Sequence, residues 1–488
     1  VLKQINENAA GIDIHLDEHW VSVPEDKDEH PVRKFGTFTQ DLHAIADWLE
    51  SCGVTTVAME STSVYWIPLY EVLESRSFEV CLVNAQATKN VTGRKSDLLD
   101  CQWLQQLHTY GLLRPSFRPP ADIVTLRAYV RHRDNLIRYR SVHIQHMQKA
   151  LALMNLKLTS VVSDITGDTG MQIIRAIVAG EREPKVLAQY RDYHCKKTED
   201  EIARALEGNY QPEHIFMLRQ SVEFYDYYNK QLAACDAEIE QQYAVFTPQV
   251  DLNIDPLPPS DSQSSRRKRA NYPDYDLRTC LYQTCGVDLT SLKGIDVLLA
   301  QEIIAEVGID MGKWSTDKHF VSWLGLAPNN KVSGGKVKSR KTKPTKGRAN
   351  LAFRLAAQSV VRSQSAFGAF YRRIKAKHGA PKAITATARK IAVAVYHMLK
   401  ERQPYHDPGA NYYEERYQER KLRNLQRQAQ RGKGRRAFGH ISRRQRDDRR
   451  AEQKAEDGPH HRADPAIAAS GRCGHWATAL LKLITRHR

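Results

Sequence analysis

The chain has 488 residues, enough for two or three domains with substantial cores, and carries a formal charge of +17 with a pI near 9.4. A balance this basic suits a polyanionic partner, although charge alone does not choose among DNA, RNA and a membrane surface. No run approaches the 18 apolar residues of a membrane span, and VLKQINENAA lacks a signal-peptide pattern, so a cytoplasmic, nucleoid-associated protein is expected.

The basic residues are unevenly spread. Residues 331–348 hold eight Lys or Arg and no acid, and 421–450 hold twelve against two Asp, whereas the first hundred residues are close to balanced. Eight cysteines are scattered, with Cys280 and Cys285 the only close pair, so they read as reduced packing residues rather than a zinc site.

The opening residues predict short strands. GIDIHL and HWVSVP form a hairpin turning at Asp17 and Glu18, and VRKFGTF supplies a third strand. Thr39 is placed to cap a helix over DLHAIADWLE, VTTVAM is a strand ending at Glu60, WIPLYEVLE is helical, and EVCLVN closes the set. Together these describe a mixed α/β domain.

Residues 120–160 predict a long amphipathic helix with a basic outer face, and 221–243 a second helix able to pair with it as a hairpin or oligomerising stalk. Residues 251–276, rich in Pro, Ser and charge, read as a linker or exposed loop. Helical signals resume at 289. LTSLKGIDVLLAQEIIAEVG resembles a helix-hairpin-helix with Gly294 in the turn, although Asp296 stands where a second turn glycine is usual. The basic stretch around 331–348 reads as a flexible loop, followed by helices to about residue 400. Much of 421–488 is expected to be disordered. The division is 1–118, 119–250, 251–284, 285–407 and a basic tail 408–488.

Four acids carry the chemistry. Asp13 sits between Ile12 and Ile14, so alternation turns it to the opposite sheet face, where an unpaired buried carboxylate is costly unless that face is open or holds a cation. Glu60 stands at a strand end. Asp97 and Asp100, behind a capping Ser96, share one helix face. Such a set can hold two Mg²⁺ ions for phosphoryl transfer, yet strand ends and helix starts attract acids for ordinary reasons as well.

GIDIHLDEHW, AMESTSVYW and NAQATKNVTGRKSDLLDCQWL resemble, in order, three signatures of insertion-sequence transposases with a DEDD catalytic domain. That family is described as bridge-RNA-guided recombinases. The resemblance implies an RNase H-like (RuvC-like) α/β N-terminal domain, central long helices of coiled-coil type and a mainly α-helical C-terminal transposase domain. It places the catalytic, metal-holding tetrad on Asp13, Glu60, Asp97 and Asp100. FVSWLGLAPNNKVSGGKVKSRKTKPTKGRANL resembles the C-terminal transposase domain, where a serine after the LAP segment is the nucleophile; the matching residue is Ser333. Ser339, Ser363 and Ser365 compete on paper.

Thr62 and Tyr65 fall in the second motif and are expected to position the Glu60 loop or a phosphate. Arg94, Lys95, Lys331, Lys336, Lys338, Arg340, Lys341, Lys343, Lys346, Arg348, Arg372 and Arg373 are candidate nucleic-acid contacts. Tyr396 and His397 read as helix-face residues. The expected reaction is Mg²⁺-dependent cleavage and rejoining of donor and target DNA, with an element-encoded guide RNA and a homodimer or homotetramer. A junction resolvase using the same acids and water, or a nonenzymatic nucleic-acid scaffold, are the alternatives.

Overall fold

The computed structural model describes residues 3–61, 63–84, 97–259, 271–345 and 347–430. The described residues fall into two compact units, one of 3–363 with 371–407 and the other of 364–370 with 408–430.

Five strands form one sheet: β1 (Ala9–Ile14), β2 (His19–Ser22), β3 (Val32–Phe35), β4 (Thr56–Glu60) and β5 (Glu79–Val83), in the order β3-β2-β1-β4-β5. The first three make an antiparallel meander, while β4 runs parallel to β1 and β5 parallel to β4. Every residue of β1 is buried, as expected of a central strand covered on both faces.

Helices α1 (Thr39–Ser51) and α2 (Trp66–Ser75) cover one face. Leu42, Ile45, Ala46 and Leu49 recur at helical spacing and pack with Ile12, Ile14, Val57, Met59 and Leu73 into one core. The cap of α1 is Phe38 rather than Thr39. Asp41 supplies the side chain, accepting the Phe38 N–H at 3.0 Å, so the helix starts one residue earlier than hydroxyl capping predicts.

The opposite face carries α3 (Asp97–Thr109). Thr56 Oγ1 donates to the Glu79 carbonyl at 2.9 Å, so its 2.8 Å partner His108 Nε2, from the last turn of α3, is the donor in that bond.

Two long helices follow: α4 (Ala121–Leu153) and, beyond the small helices α5 (Leu158–Val161), α6 (Asp168–Ala179), α7 (Pro184–Ala188) and α8 (Glu199–Ala205), the antiparallel partner α9 (Pro212–Val245). Leu126, Val130 and Leu136 are buried on α4 and Leu232, Cys235 and Ile239 on α9, and buried Arg133 pairs with Asp236 across the hairpin. Residues 161–220, unreadable as a pattern, supply the apolar cap of this hairpin, with Ile173, Ile174, Ile177, Leu187 and Ile202 packed on Met147, Leu151 and Leu218.

The C-terminal helices are α10 (Leu277–Cys285), α11 (Val297–Val307), α12 (Asp317–Trp323), α13 (Arg348–Ser359), α14 (Ala366–His378), α15 (Ala380–Glu401) and α16 (Asn411–Gln430). The strands β6 (Lys331–Ser333) and β7 (Lys336–Ser339) lie between α12 and α13. The helix expected first in the 289–308 pair is a single 3-10 turn, Leu289–Ser291, and Asp296 is the N-cap of α11, accepting Leu299 N–H at 3.0 Å. Gly294, at φ +104°, is packed closely: a Cβ there would meet Val360 and the Ala356 carbonyl. Its role is thus helix packing against α13. Helix α16 extends order further into the basic tail than its composition suggests. It contains no Gly or Pro, and Arg423 reaches Glu419 one turn back at 3.4 Å.

Two contacts join the long hairpin to the C-terminal helices. Arg127 donates to the carbonyls of Ala305 and Glu306, both at 2.9 Å, satisfying the open end of α11. Arg131 grips the Glu306 carboxylate with two bonds of 2.7 and 2.8 Å. Before α4, Phe117 packs against Trp314 (4.9 Å) and Trp323 (5.1 Å), and the Arg118 guanidinium lies 3.9 Å from the Tyr70 ring centroid.

Burial lowers the affinity of His108 for a proton. Above the ordinary imidazole value both folded and unfolded chains hold it neutral; below it, the unfolded chain takes the proton first. Stability is therefore expected to fall as pH drops through and below the ordinary imidazole value, and urea unfolding of His108→Gln should show a smaller fall. An unchanged pH dependence in that variant would remove His108 as its source.

Candidate active site

β1 turns Ala10, Ile12 and Ile14 to the α1 core, which leaves Gly11 and Asp13 on the face covered by α3. Gly11 is the contact point. A Cβ there would lie 2.3 Å from the Cys101 carbonyl oxygen and 2.4 Å from Gln105 N, so only glycine lets the α3 backbone settle on the strand.

Asp13, two residues on, is 7% exposed, and its Oδ2 lies 3.1 Å from His15 Nε2. On β4, Ala58 and Glu60 share this face, whereas Val57 and Met59 enter the opposite core. The parallel register sets Gly11 beside Ala58 and Ile12 beside Met59, and Asp13 and Glu60 are the residues that follow this last matched pair on the two strands. Glu60 is half-buried.

The third element is the start of α3. Asp97 is its first residue and Asp100 is exposed in its first turn; of the Asp97 side chain nothing is described. Cys101 follows, fully buried. Its thiol is pushed up to about 12, first by burial and further by the carboxylates of Asp13 and Asp100, whose fields both reach it. It is an inert filler between strand and helix.

The sheet and α3 thus bring Asp13, Glu60 and the acid-bearing helix start to one edge. Among the described residues, no three His, Cys, Asp or Glu side chains are grouped closely enough to hold a metal ion. The donor chemistry nevertheless fits a hard divalent cation: carboxylate oxygens from two adjoining strand ends and a helix start, one of them buried. Arg94, Lys95, Ser96 and Thr62 lie outside the described residues. Tyr65 stands at the start of α2 after Ser63, whose φ is +51°.

The basic stretch is ordered as a two-stranded hairpin rather than a loop. Val332 pairs with Val337 and Ser333 with Lys336, and Pro328 and Thr342 bridge its base. Gly334 (φ +55°) and Gly335 (φ +71°) form the turn, as a primed hairpin turn requires, and nothing lies within 4 Å of where their Cβ atoms would be. Ser333 is the last residue before that turn and is exposed, as are Lys331, Lys336, Lys338, Arg340, Lys341 and Lys343.

Other candidates have local work. Ser339 Oγ accepts from Lys341 N at 3.3 Å, and Ser365, 6% exposed, accepts from Gly368 N at 3.2 Å. Arg348 pairs with Asp134 at 2.7 Å, and Arg372 donates to the carbonyls of Val361 (3.1 Å) and Ser363 (2.8 Å). Arg373 is half-exposed on α14; Lys346 lies outside the described residues. Tyr396 is a core residue whose hydroxyl donates to the Trp314 carbonyl at 2.9 Å, and His397 bonds Glu401 on the helix surface at 2.8 Å. Gly11 was passed over in the sequence because its role is packing. Its signal was a residue without a side chain on the same strand face as Asp13.

Two family models match the chain in order: a transposase model of the DEDD, IS110 type over residues 10–155, and the transposase IS116/IS110/IS902 family over residues 288–372. The chain is accordingly a transposase, an enzyme that cleaves and rejoins DNA. Over those two segments it is similar to the insertion-sequence DEDD transposases of the IS110 type. No curated protein matches it. No helix among the described residues is long and apolar enough to cross a membrane.

The close approach at Gly11 generates a prediction. Gly11→Ala should destabilise the protein by about 1–3 kcal/mol or more, the usual range for overpacking, because the atoms met are backbone. It should also lower DNA cleavage beyond any loss of folded protein. Urea unfolding and a cleavage assay on the same preparation check this; wild-type stability and activity would contradict the packing argument.

Proposed function

We propose that this transposase cleaves DNA with a metal site of Asp13, Glu60, Asp97 and Asp100 and joins it through Ser333. The observation carrying the reading is that Asp13 and Glu60 each follow the last matched pair of β1 and β4, on the sheet face that α3 covers. Bound Mg²⁺ would neutralise charge on the scissile phosphate and favour the ionised form of the attacking oxygen. The four acids hold and orient that charge from a rigid frame.

Ser333 Oγ attacks phosphorus as its proton leaves; the Oγ–P bond forms, the bond to the leaving deoxyribose oxygen breaks, and that oxygen takes a proton. A second DNA hydroxyl reverses the step, so phosphodiester energy is kept without a nucleotide cofactor. The cations of the hairpin, with Arg94 and Lys95, hold backbone phosphates and read no sequence.

Target choice then falls to an element-encoded guide RNA, with the protein reading shape and phosphate. The protein acts as a homodimer or homotetramer in which one subunit's acids serve another's serine. In this reading residues 1–118 are the acidic domain, 119–250 the helical stalk, 251–284 a linker or insertion that ends in α10, 285–407 the serine-bearing domain and 408–488 a basic tail.

The test combines protein, Mg²⁺, RNA transcribed from the element flanks, and donor and target DNA. A covalent protein–DNA adduct is expected, absent in Ser333→Ala. Asp13→Asn should cut more slowly by a factor beyond the roughly 10–100-fold typical of changes to groups that only support a metal ligand. An adduct persisting in Ser333→Ala would overturn the nucleophile, and cutting with neither adduct nor joining would assign a resolvase that uses water. Binding unaffected by Asp13→Asn, without cutting by either protein, would leave a scaffold.

A further inference from the structure

The long hairpin carries a set of rings that its own core does not use. Its buried residues are Leu126, Val130 and Leu136 on α4 and Leu232, Cys235 and Ile239 on α9. On the outside, Tyr139 is 53% exposed, Phe224 49% and Tyr227 53%. These rings are arranged. The His143 ring lies nearly parallel to Phe224, at 4.8 Å and 22°, and to Tyr228, at 5.5 Å and 24°. Tyr139 adjoins Tyr228 at 5.9 Å, and Tyr227 meets Tyr228 edge-on at 5.6 Å. The result is a stacked ladder from two helices, fixed by the register of the hairpin.

Its charge is one-sided. From residue 135 to 163 the chain has no Asp or Glu, while α4 presents Arg138, Arg140 and Lys149. The recorded partners of Arg138 and Arg140 are neutral: the Asp134 carbonyl and the amide oxygens of Asn135, Asn229 and Asn271. On α9, Asp226 is taken by Arg175 through two bonds of 2.7 and 2.6 Å, which leaves Glu223 as the nearest unshared acid in the sequence. His143 is held toward its neutral form by burial and by His146, so the central ring stacks without carrying charge.

We propose that this ladder is a binding platform for an unpaired stretch of RNA, whose bases stack on Tyr139, Phe224 and Tyr227 while Arg138 and Arg140 hold its phosphates. Flat rings bracketed by unneutralised guanidinium groups match single-stranded nucleic acid, because every base offers a face to stack on. A duplex hides its bases and offers only phosphates and groove edges. RNA is assigned over DNA because it is the partner already proposed for this transposase, and the two are set against each other in the experiment below. A second copy of this chain is a poorer occupant, since an isologous contact through α4 would set its acid-free faces together. The proposal rests on the RNA partner named above and gives it a place on the chain.

The experiment uses the full-length protein and a fluorescein-labelled, unstructured uridine-rich RNA of about 20 nucleotides, read by polarisation across a salt series. The double variant Tyr139→Ala/Phe224→Ala should bind at least about tenfold more weakly than wild type, with an unchanged salt slope. Arg138→Gln/Arg140→Gln should flatten that slope by about 0.7 per cation lost. Tyr139→Phe should bind like wild type. Circular dichroism and thermal melts compare the folded state of each variant.

Equal RNA affinity in the ring variant overturns the platform, as does a wild type that does not bind the probe. Equal ring dependence with single-stranded DNA or duplex RNA of the same length overturns the assignment to unpaired RNA. A ring variant that dissociates by light scattering yet keeps its RNA affinity makes the face a self-association surface. The Ser333→Ala adduct assay is run separately on the same DNA, so failure of the platform and failure of the recombinase reading give different results.

Discussion

The acidic edge depends on a missing carbon. α3 can bring its first turn to the end of β1 only because residue 11 has no Cβ, and the strand then continues two residues to Asp13. A helix held off by even a methyl group would carry Asp97 and Asp100 away from the strand ends. The same close approach seals Cys101 between the elements, where its thiol stays protonated, and lets His108 reach Thr56 at the far end of the helix. One packing contact therefore sets both the depth of the helix and the direction of its N-terminus.

A second constraint acts between the segments matched by the two family models. α4 lies in the first segment and α11 in the second, and Arg127 and Arg131 tie them through the Ala305 and Glu306 carbonyls and the Glu306 carboxylate. Phe117, packed against the touching pair Trp314 and Trp323, does the same just before α4 begins, and Arg118 beside it stacks on Tyr70 of α2. Backbone carbonyls, a carboxylate and aromatic rings all contribute, so the link is unlike a flexible tether. Breaking the paired Glu306, 8% exposed, would leave a carboxylate facing low-dielectric surroundings or two arginines without their acceptor.

Much of this was legible in the sequence where periodicity carries the information. The period-two run of β1, the apolar end of β4 at Glu60, the helical spacing of α1 and the long basic helix α4 are all local patterns, and the elements follow them. The misses have physical causes. Thr39 looked like a cap because its hydroxyl suits that role, but Asp41 reaching back to the Phe38 N–H settles the start one residue earlier. Residues 161–220 were passed over because α5, α7 and α8 are too short to display a period and break up the pattern around the one amphipathic helix, α6, all of them held by contact with the hairpin tip. The acids could be picked out as residue types, yet their adjacency is a matter of register, which no local pattern prints. Resemblance to a family supplied what spacing could not.

The hairpin was also misread, and the reason bears on its chemistry. Eight cations and several glycines in eighteen residues look like a solvated loop, because charge and Gly both disfavour strands. What orders it is the Gly334–Gly335 turn, whose two positive φ angles match strand twist, together with the Pro328–Thr342 bridge at its base. A serine fixed beside such a turn has lost the backbone freedom that a loop serine would surrender on reaching a phosphate, which favours attack. Its neighbours on the hairpin are cations. They can hold a phosphate and steady an ionised oxygen, but charged lysines and arginines do not accept the serine proton. In the proposed reaction, Ser333 is a nucleophile supplied with position and positive charge but no local base, and so would be half of a site. In the same proposal the acidic edge organised by Gly11 would supply the complementary half: proton acceptors and hard-cation ligands, with no hydroxyl nucleophile among its four named residues.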